Sequence, residues 1–207
     1  GTAVAFGDND HGHGKTNIPK LGSQKVLSAA CGCDHTVLVL DDGTAVAFGG
    51  NDHDQTNIFN LGSQKILSAA CGYCHTVLVL DDGTAVAFGY NGNSQTKIPN
   101  LGSQKILSAA CGSSHTVLVL DDGTAVAFGF QRYARANIHY LESHKVLSAA
   151  CGYDHAVLVL DDGTAVAFGY NGNGQTNIPN LGSQKILSAA CGESHTVLVL
   201  DDGTAVA

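Results

Sequence analysis

A five-residue motif, Cys71-Gly72-Tyr73-Cys74-His75, holds the residue types best suited to chemistry in this chain of 207 residues. The spacing C-x-x-C-H matches the attachment signature of a c-type haem, and its first four residues match a dithiol redox centre. Both interpretations are weakened by the rest of the sequence, because Cys71 and His75 recur at regular intervals and Cys74 alone is peculiar to this place. We therefore interpret the motif as a small buried thiol followed by a turn residue.

Five histidines share one position after the same small-residue phrase. A ring of metal ligands is conceivable, but equivalent positions of a symmetric array lie apart, whereas zinc needs its ligands about 2.0–2.3 Å from one point. We predict a structural role instead, in which each side chain hydrogen-bonds backbone at the start of its own strand. The five are His35, His75, His115, His155 and His195.

Pairs of adjacent aspartates recur five times, each followed by glycine, and general acid–base catalysis is one chemistry that paired carboxylates could perform. That chemistry also needs a cleft and a third group, and neighbouring side chains at a hairpin point apart. The pairs are typical of turns. Their shared position predicts one strongly negative end, where a basic partner or a divalent cation could bind. The second members are Asp42, Asp82, Asp122, Asp162 and Asp202.

The stretch Asp8–Gly14 suggests a calcium loop or a His-rich metal site, yet it lacks the acidic residue that closes a Ca²⁺ loop. We interpret it as a surface loop. The sequence offers no Ser-His-Asp triad and no nucleophile elbow. We therefore predict a protein that is not an enzyme and that uses no cofactor and no catalytic metal.

These residues recur because the chain is a tandem repeat. The phrase GTAVA begins at Gly1, Gly43, Gly83, Gly123, Gly163 and Gly203, so the first period is 42 residues and the other four are 40. The phrases SAACG and VLVLDD return once in each unit. Five units of one kind predict a single domain over residues 1–207, with Gly203–Ala207 as a terminal strand.

Each unit has the pattern of antiparallel strands. Thr36–Leu40 is a short, unbroken apolar run, which is typical of a strand buried on both faces. Asp42-Gly43 then predicts a tight hairpin turn. Upstream, Lys25–Gly32 is a strand of small residues, which suits a place where sheets converge. A proline in three of five copies of the Thr-Asn-Ile-Pro segment restricts that segment to an edge strand or a loop.

Three or four strands per 40 residues predict an all-β fold, a β-propeller with blades of about 40 residues. A flat solenoid of stacked hairpins is the alternative, and burial of the VLVL strand on both faces favours the propeller. GTAVA occurs six times but its partner phrases five times. The sequence therefore predicts either a closed ring with one displaced terminal strand or a segment cut from a longer array, and the missing initial methionine favours the segment.

The repeat unit resembles that of the regulator of chromosome condensation family. The matching residues are Gly72, His75, Asp82, Gly83, Phe88 and Gly89 in the second unit, and Asn171, Gly174 and Gln175 in the last full unit. Phenylalanine stands where the family usually has tryptophan, and the long inserted loops of the nuclear exchange factor are missing. The resemblance implies protein binding, with guanine-nucleotide exchange on a small GTPase as the alternative that the missing loops disfavour.

The fourth unit departs from the repeat and contains the two arginines of the chain. Arginine and tyrosine are enriched at interface hot spots, so we predict a contact with a protein partner here, with neutral drift of a loop as the alternative. The predicted contact residues are Arg132, Tyr133, Arg135, His139 and Tyr140. The function predicted overall is that of a protein-binding propeller, a scaffold or structural subunit of a larger assembly.

Composition narrows the classes of partner. The formal net charge of −8 disfavours a nucleic-acid binder, which needs a basic stripe, and no apolar run approaches the 18 residues of a membrane span. The number of cysteines, seven, is odd, and the five repeat cysteines lie at equivalent, separated positions, which favours a reducing or intracellular setting. An organelle, reached with a transit peptide that is later removed, stays open.

Overall fold

A computed structural model of the chain describes residues 1–9, 13–130, 141 and 144–207. Its regular elements are fifteen β-strands in five antiparallel sheets, each with three strands in chain order. The first strands of the sheets are β1 (Val26–Cys31), β4 (Ile66–Cys71), β7 (Ile106–Cys111), β10 (Val146–Cys151) and β13 (Ile186–Cys191). The second strands are β2 (His35–Leu40), β5 (His75–Leu80), β8 (His115–Leu120), β11 (His155–Leu160) and β14 (Thr196–Leu200). The third strands are β3 (Ala45–Gly49), β6 (Ala85–Gly89), β9 (Ala125–Gly129), β12 (Ala165–Gly169) and β15 (Ala205–Val206).

The second blade illustrates how each sheet forms. Strands β5 and β6 pair from His75 opposite Gly89 to Val79 opposite Ala85, across the predicted Asp-Gly turn. Gly83 has a φ of +86°, a conformation that a residue with a side chain seldom adopts. In β4 the register shifts between Ile66 and Ser68, which marks a β-bulge.

The five sheets are the blades of a β-propeller, as the sequence predicts. The first strand of each blade packs beside the first strand of the next, and the ends of all five first strands line one cavity of about 680 Å³. We therefore call the three strands of a blade inner, middle and outer. Convergence of all five sheets on one cavity excludes the flat solenoid.

Each joint between blades is an apolar layer. Val37 and Val39 of blade one pack against Ile66, Leu78 and Leu80 of blade two, and all five side chains are buried. The same pattern recurs at the later joints. Both faces of a middle strand are thereby covered, and full burial of such side chains stabilises the fold by about 1.5–3 kcal/mol each.

The first and last blades differ from the three blades between them. In the described part of the chain, the inner strands β1 and β13 do not pack against each other as consecutive inner strands do. Residues 1–6 form no strand, yet the Gly1 carbonyl accepts a hydrogen bond from Val26 N, as Gly43 does from Ile66. The two terminal copies of GTAVA therefore lie at different blades: the first sits beside β1, and the last pairs with β14 through Ala205 and Val206.

Candidate functional site

Buried histidine–threonine hydrogen bonds link consecutive blades. His35 Nε2 lies 2.9 Å from Thr76 Oγ1, and His75 Nε2 lies 3.0 Å from Thr116 Oγ1. The Thr116 hydroxyl also donates to the Gln95 carbonyl oxygen at 2.8 Å. Because a hydroxyl has a single proton, the threonine must accept from the imidazole, so the ring carries a proton on Nε2.

The histidine partners differ from the sequence prediction. Each ring was expected to bond backbone of its own strand, but those of His35, His75 and His155 reach a threonine in the next blade, because adjacent blades are close enough for side chains to meet. Burial lowers the pKa of His35 to about 4 and that of His75 to about 3. These histidines are therefore neutral clamps between blades at physiological pH.

One joint lacks this clamp. Blade four has Ala156 where the other blades have threonine, and the buried Nε2 of His115 has no hydrogen-bond partner within the described residues. At the last blade, His195 is exposed. The five histidines of one sequence position thus occupy three environments.

The aspartate pairs serve the turns. Asp82 accepts hydrogen bonds from the hydroxyl and the backbone N–H of Thr84, at 2.7 and 2.9 Å, which lower its pKa. Gln64 donates to the second oxygen of the same carboxylate, and Asp81 accepts from Lys65 N at 3.0 Å. Each pair therefore ties an inner strand to the turn of its own blade.

Blade four also differs from the other blades at the end with the Asp-Gly turns, because His144 replaces the glutamine of the other units. Its Nδ1 lies 3.7 Å from Asp161 Oδ1 and 3.5 Å from Asp162 Oδ2. The ligand atoms of the three side chains lie within 4.8 Å of one another and are the group among the described residues that could hold a metal ion. Asp161 Oδ1 already accepts a hydrogen bond from Lys145 N at 3.0 Å, so one of the three ligand atoms is engaged by the backbone.

The Cys71–His75 motif has no activated thiol. Cys71 packs into the joint between blades one and two, and burial raises its pKa above the ordinary range. Burial also raises the pKa of Cys74. The His75 ring is committed to Thr116, so haem ligation and dithiol chemistry both lack support in this geometry.

The end of the propeller opposite the Asp-Gly turns carries two sets of variable residues of the repeat. Two residues follow each SAACG phrase and one follows each outer strand, and their identities change from unit to unit. Backbone bonds bring the two places together: Tyr90 N donates to Cys74 O and Phe130 N to Ser114 O, both at 2.8 Å. These two sets of variable positions therefore meet on one surface.

We call the cavity on this surface the mouth. Five variable residues surround it in the order Cys33, Tyr73, Ser113, Tyr153 and Glu193. The rings of Tyr73 and Tyr153 meet edge to face, with centroids 5.9 Å apart and planes at 83°. Ser113 N donates to Tyr153 O at 2.8 Å, and Tyr153 N donates to Glu193 O at 3.2 Å. Backbone hydrogen bonds thus link three of the five mouth residues, and the two tyrosine side chains at the mouth are partly exposed.

Some predicted residues cannot be placed. The fourth-unit contact residues, at positions 132, 133, 135, 139 and 140, lie outside the described residues, as do positions 10–12 of the Asp8–Gly14 loop. Phe130, just before the divergent segment, lies at the mouth end and is 38% exposed. The predicted partner contact in the fourth unit stays a prediction.

Sequence reasoning missed the mouth. It considered Tyr73 and Cys74 as parts of a possible redox motif and did not single out Tyr153 or Glu193. The signal was present, since in a repeat with constant phrases the positions that vary mark the surface free to specialise.

Five three-stranded blades around a common cavity define a β-propeller. Two segments, residues 66–95 and 146–175, match the Regulator of chromosome condensation (RCC1) repeat. The chain therefore contains repeats of this type, which confirms the resemblance predicted from the sequence. No curated protein matches the chain.

Solved structures share the fold at low sequence identity. Human WBSCR16 is 19% identical with a TM-score of 0.75, over 88% of this chain and 62% of that chain. Yeast RCC1 (Prp20), crystallised with Kap60 bound, is 16% identical with a TM-score of 0.71, over 88% of this chain and 56% of that one. The ectodomain of the Arabidopsis thaliana receptor kinase ACR4 has a TM-score of 0.68 at 16% identity, over 91% and 66%. The chain thus spans about three fifths of the length of these proteins. Among the described residues, no helix has the length and apolar character needed to cross a membrane.

Proposed function

We propose that the protein is a non-enzymatic, protein-binding β-propeller, which serves as a scaffold or as a structural subunit of a larger assembly and binds its partner at the mouth end. One observation carries the proposal: the variable residues that follow the inner and outer strands of the repeat gather on this end, and they include partly exposed aromatic side chains. Tyrosine is enriched at the energetic centres of protein interfaces.

The exposed aromatic residues support this choice of surface. Tyr73, Tyr90, Tyr153 and Tyr170 are each 41–45% exposed, and all four follow an inner or an outer strand at the mouth end. A tyrosine ring offers a large contact area at a low entropic cost, because only two side-chain torsions are fixed on binding. The yeast relative of this fold binds Kap60 in the crystal, so the fold is compatible with protein recognition.

The experiment is affinity capture with matched variants. The double variant Tyr73→Ala/Tyr153→Ala should lose the partner that the parent chain captures, with a folded circular dichroism spectrum. The control, Leu67→Ala/Leu147→Ala, removes two exposed apolar side chains of the same two blades at the opposite end, and it should keep that partner. Equal capture by both double variants would contradict the proposed surface.

The predicted contact in the fourth unit has its own variant. Arg132→Ala/Arg135→Ala should weaken capture of the same partner if the divergent segment belongs to the interface. A nucleotide-release assay on small GTPases tests the exchange alternative, and we expect no acceleration over the spontaneous rate.

A further inference from the structure

The mouth combines aromatic rings and negative charge in one concave surface. Tyr153 is 43% exposed, and its backbone N–H is bonded to Glu193, whose side chain is exposed. Glu193 forms no ion pair with any residue that the structure describes. The described residues that line the mouth include no lysine and no arginine.

The other carboxylates near the mouth are already engaged. Asp34 pairs with Lys15 at 3.0 Å, and Asp154 accepts a hydrogen bond from the Ser113 hydroxyl at 3.0 Å. Glu193 is therefore the carboxylate of the mouth that an incoming group can pair with. It is adjacent to a tyrosine whose ring is accessible to solvent.

A cation satisfies both features at once. The electron-rich face of a tyrosine ring attracts a cation within about 6 Å of its centroid, and arginine is the usual partner because its flat guanidinium can stack on a ring while its N–H groups bind a carboxylate. An anion would be repelled by Glu193 and by the net charge of −8. A purely apolar group would leave the carboxylate unpaired.

We infer that the mouth binds an arginine side chain of the protein partner, stacked on the Tyr153 ring and paired with the Glu193 carboxylate. The inference rests on the proposed function, since it names the chemistry by which a partner is recognised at that surface. Tyr73 holds the Tyr153 ring by the edge-to-face contact and is a positioning residue.

The test uses the whole 207-residue chain, labelled with ¹⁵N, and an acetylated and amidated pentapeptide with arginine between glycines. The peptide should shift the amide signals of Tyr153 and Glu193. The same peptide with citrulline, which is neutral and nearly isosteric, should shift them much less. Raising the salt concentration should weaken binding of the arginine peptide more than binding of the citrulline peptide.

Variants separate the two contacts. Tyr153→Leu should weaken binding of the arginine peptide about two- to fivefold. Tyr153→Phe should preserve the affinity, because the cation contacts the face of the ring. Glu193→Gln should also weaken it about two- to fivefold. Tyr170→Leu, which removes a tyrosine of similar exposure that does not line the mouth, should leave the affinity unchanged.

The results that overturn the inference are distinct from those that overturn the proposed function. Equal binding of the arginine and citrulline peptides, no binding of either, or shifts centred away from the mouth would refute the arginine site. If the tyrosine double variant still lost the captured partner, the protein-binding function would stand while this assignment of its chemistry fell.

Discussion

Removal of one buried hydroxyl, in Thr116→Val, tests the clamp between blades. Valine keeps the volume and the branched shape of threonine, so the change deletes the hydrogen bonds without opening a cavity. It leaves two groups unpaired, the Nε2 proton of His75 and the carbonyl oxygen of Gln95. His75 is 0% exposed, so water cannot replace the lost partner.

The expected loss follows from these two groups. Each buried polar group left without a partner costs about 1–3 kcal/mol, and some relaxation of the joint is unavoidable. We expect the free energy of unfolding to fall by about 2–3 kcal/mol, which in a chain of this size lowers the melting temperature by roughly 5–10 °C.

The chain provides the reciprocal variant. Ala156→Thr supplies the missing hydroxyl to His115 at a position that holds threonine in the neighbouring blades, so room for the side chain is expected. We expect a gain of about 0.5–1.5 kcal/mol. Urea titrations followed by circular dichroism measure both variants. An unchanged midpoint for Thr116→Val, together with no gain for Ala156→Thr, would refute the clamp.

Three further outcomes are expected. Burial lowers the pKa of His75 from 6.5 to about 3. The contribution of this histidine to stability is therefore complete above pH 6.5 and is lost as the pH falls towards the pKa of the folded state. Urea midpoints at pH 7, 5 and 4 should decrease in that order, and a midpoint independent of pH would contradict this prediction. Exposed Cys33 should react rapidly with a thiol reagent, and partly buried Cys71, whose pKa is raised by burial, should react much more slowly. The amplitude of the fast labelling phase measures this difference, and equal rates would contradict the shielding of Cys71. Gly129→Ala places a methyl group against the Ser114 carbonyl oxygen at a φ of +111°, whereas the methyl group of Gly102→Ala meets open space. We expect Gly129→Ala to lower the free energy of unfolding by at least about 2 kcal/mol more than Gly102→Ala does. Similar losses in urea titrations would argue against the close approach.

The strands were predictable because their signals are local. The apolar run Thr36–Leu40 and the Asp-Gly turn each act within a few residues, and the 40-residue period repeats them in every blade. The packing of blade on blade also follows, since a strand that is apolar on both faces needs cover on both.

The histidine partners were not predictable in the same way. Each clamp joins residues 41 positions apart, in different blades, and only the angle between blades brings them together. The sequence does contain a trace of the joint, because Ala156 breaks the His-Thr pair in one unit alone. The mouth was missed for a related reason, since its residues come from five units and become neighbours only when the inner strands converge.

The near identity of the joints has a consequence for folding. Val37 and Val39 meet Ile66, Leu78 and Leu80 in blade two, but the same residue types are offered by blades three and five. During folding, a blade can therefore associate with a later blade and leave the intervening 40 residues looped out, at a modest cost in loop entropy. Such misregistered species bury native-like surface and must partly unfold to be corrected, so they act as kinetic traps. Refolding after dilution from urea should accordingly show a slow phase that shortens in the presence of moderate denaturant. The joint with alanine at position 156 differs in sequence from the other joints, so at this joint a correct pairing of blades is distinct from an incorrect one.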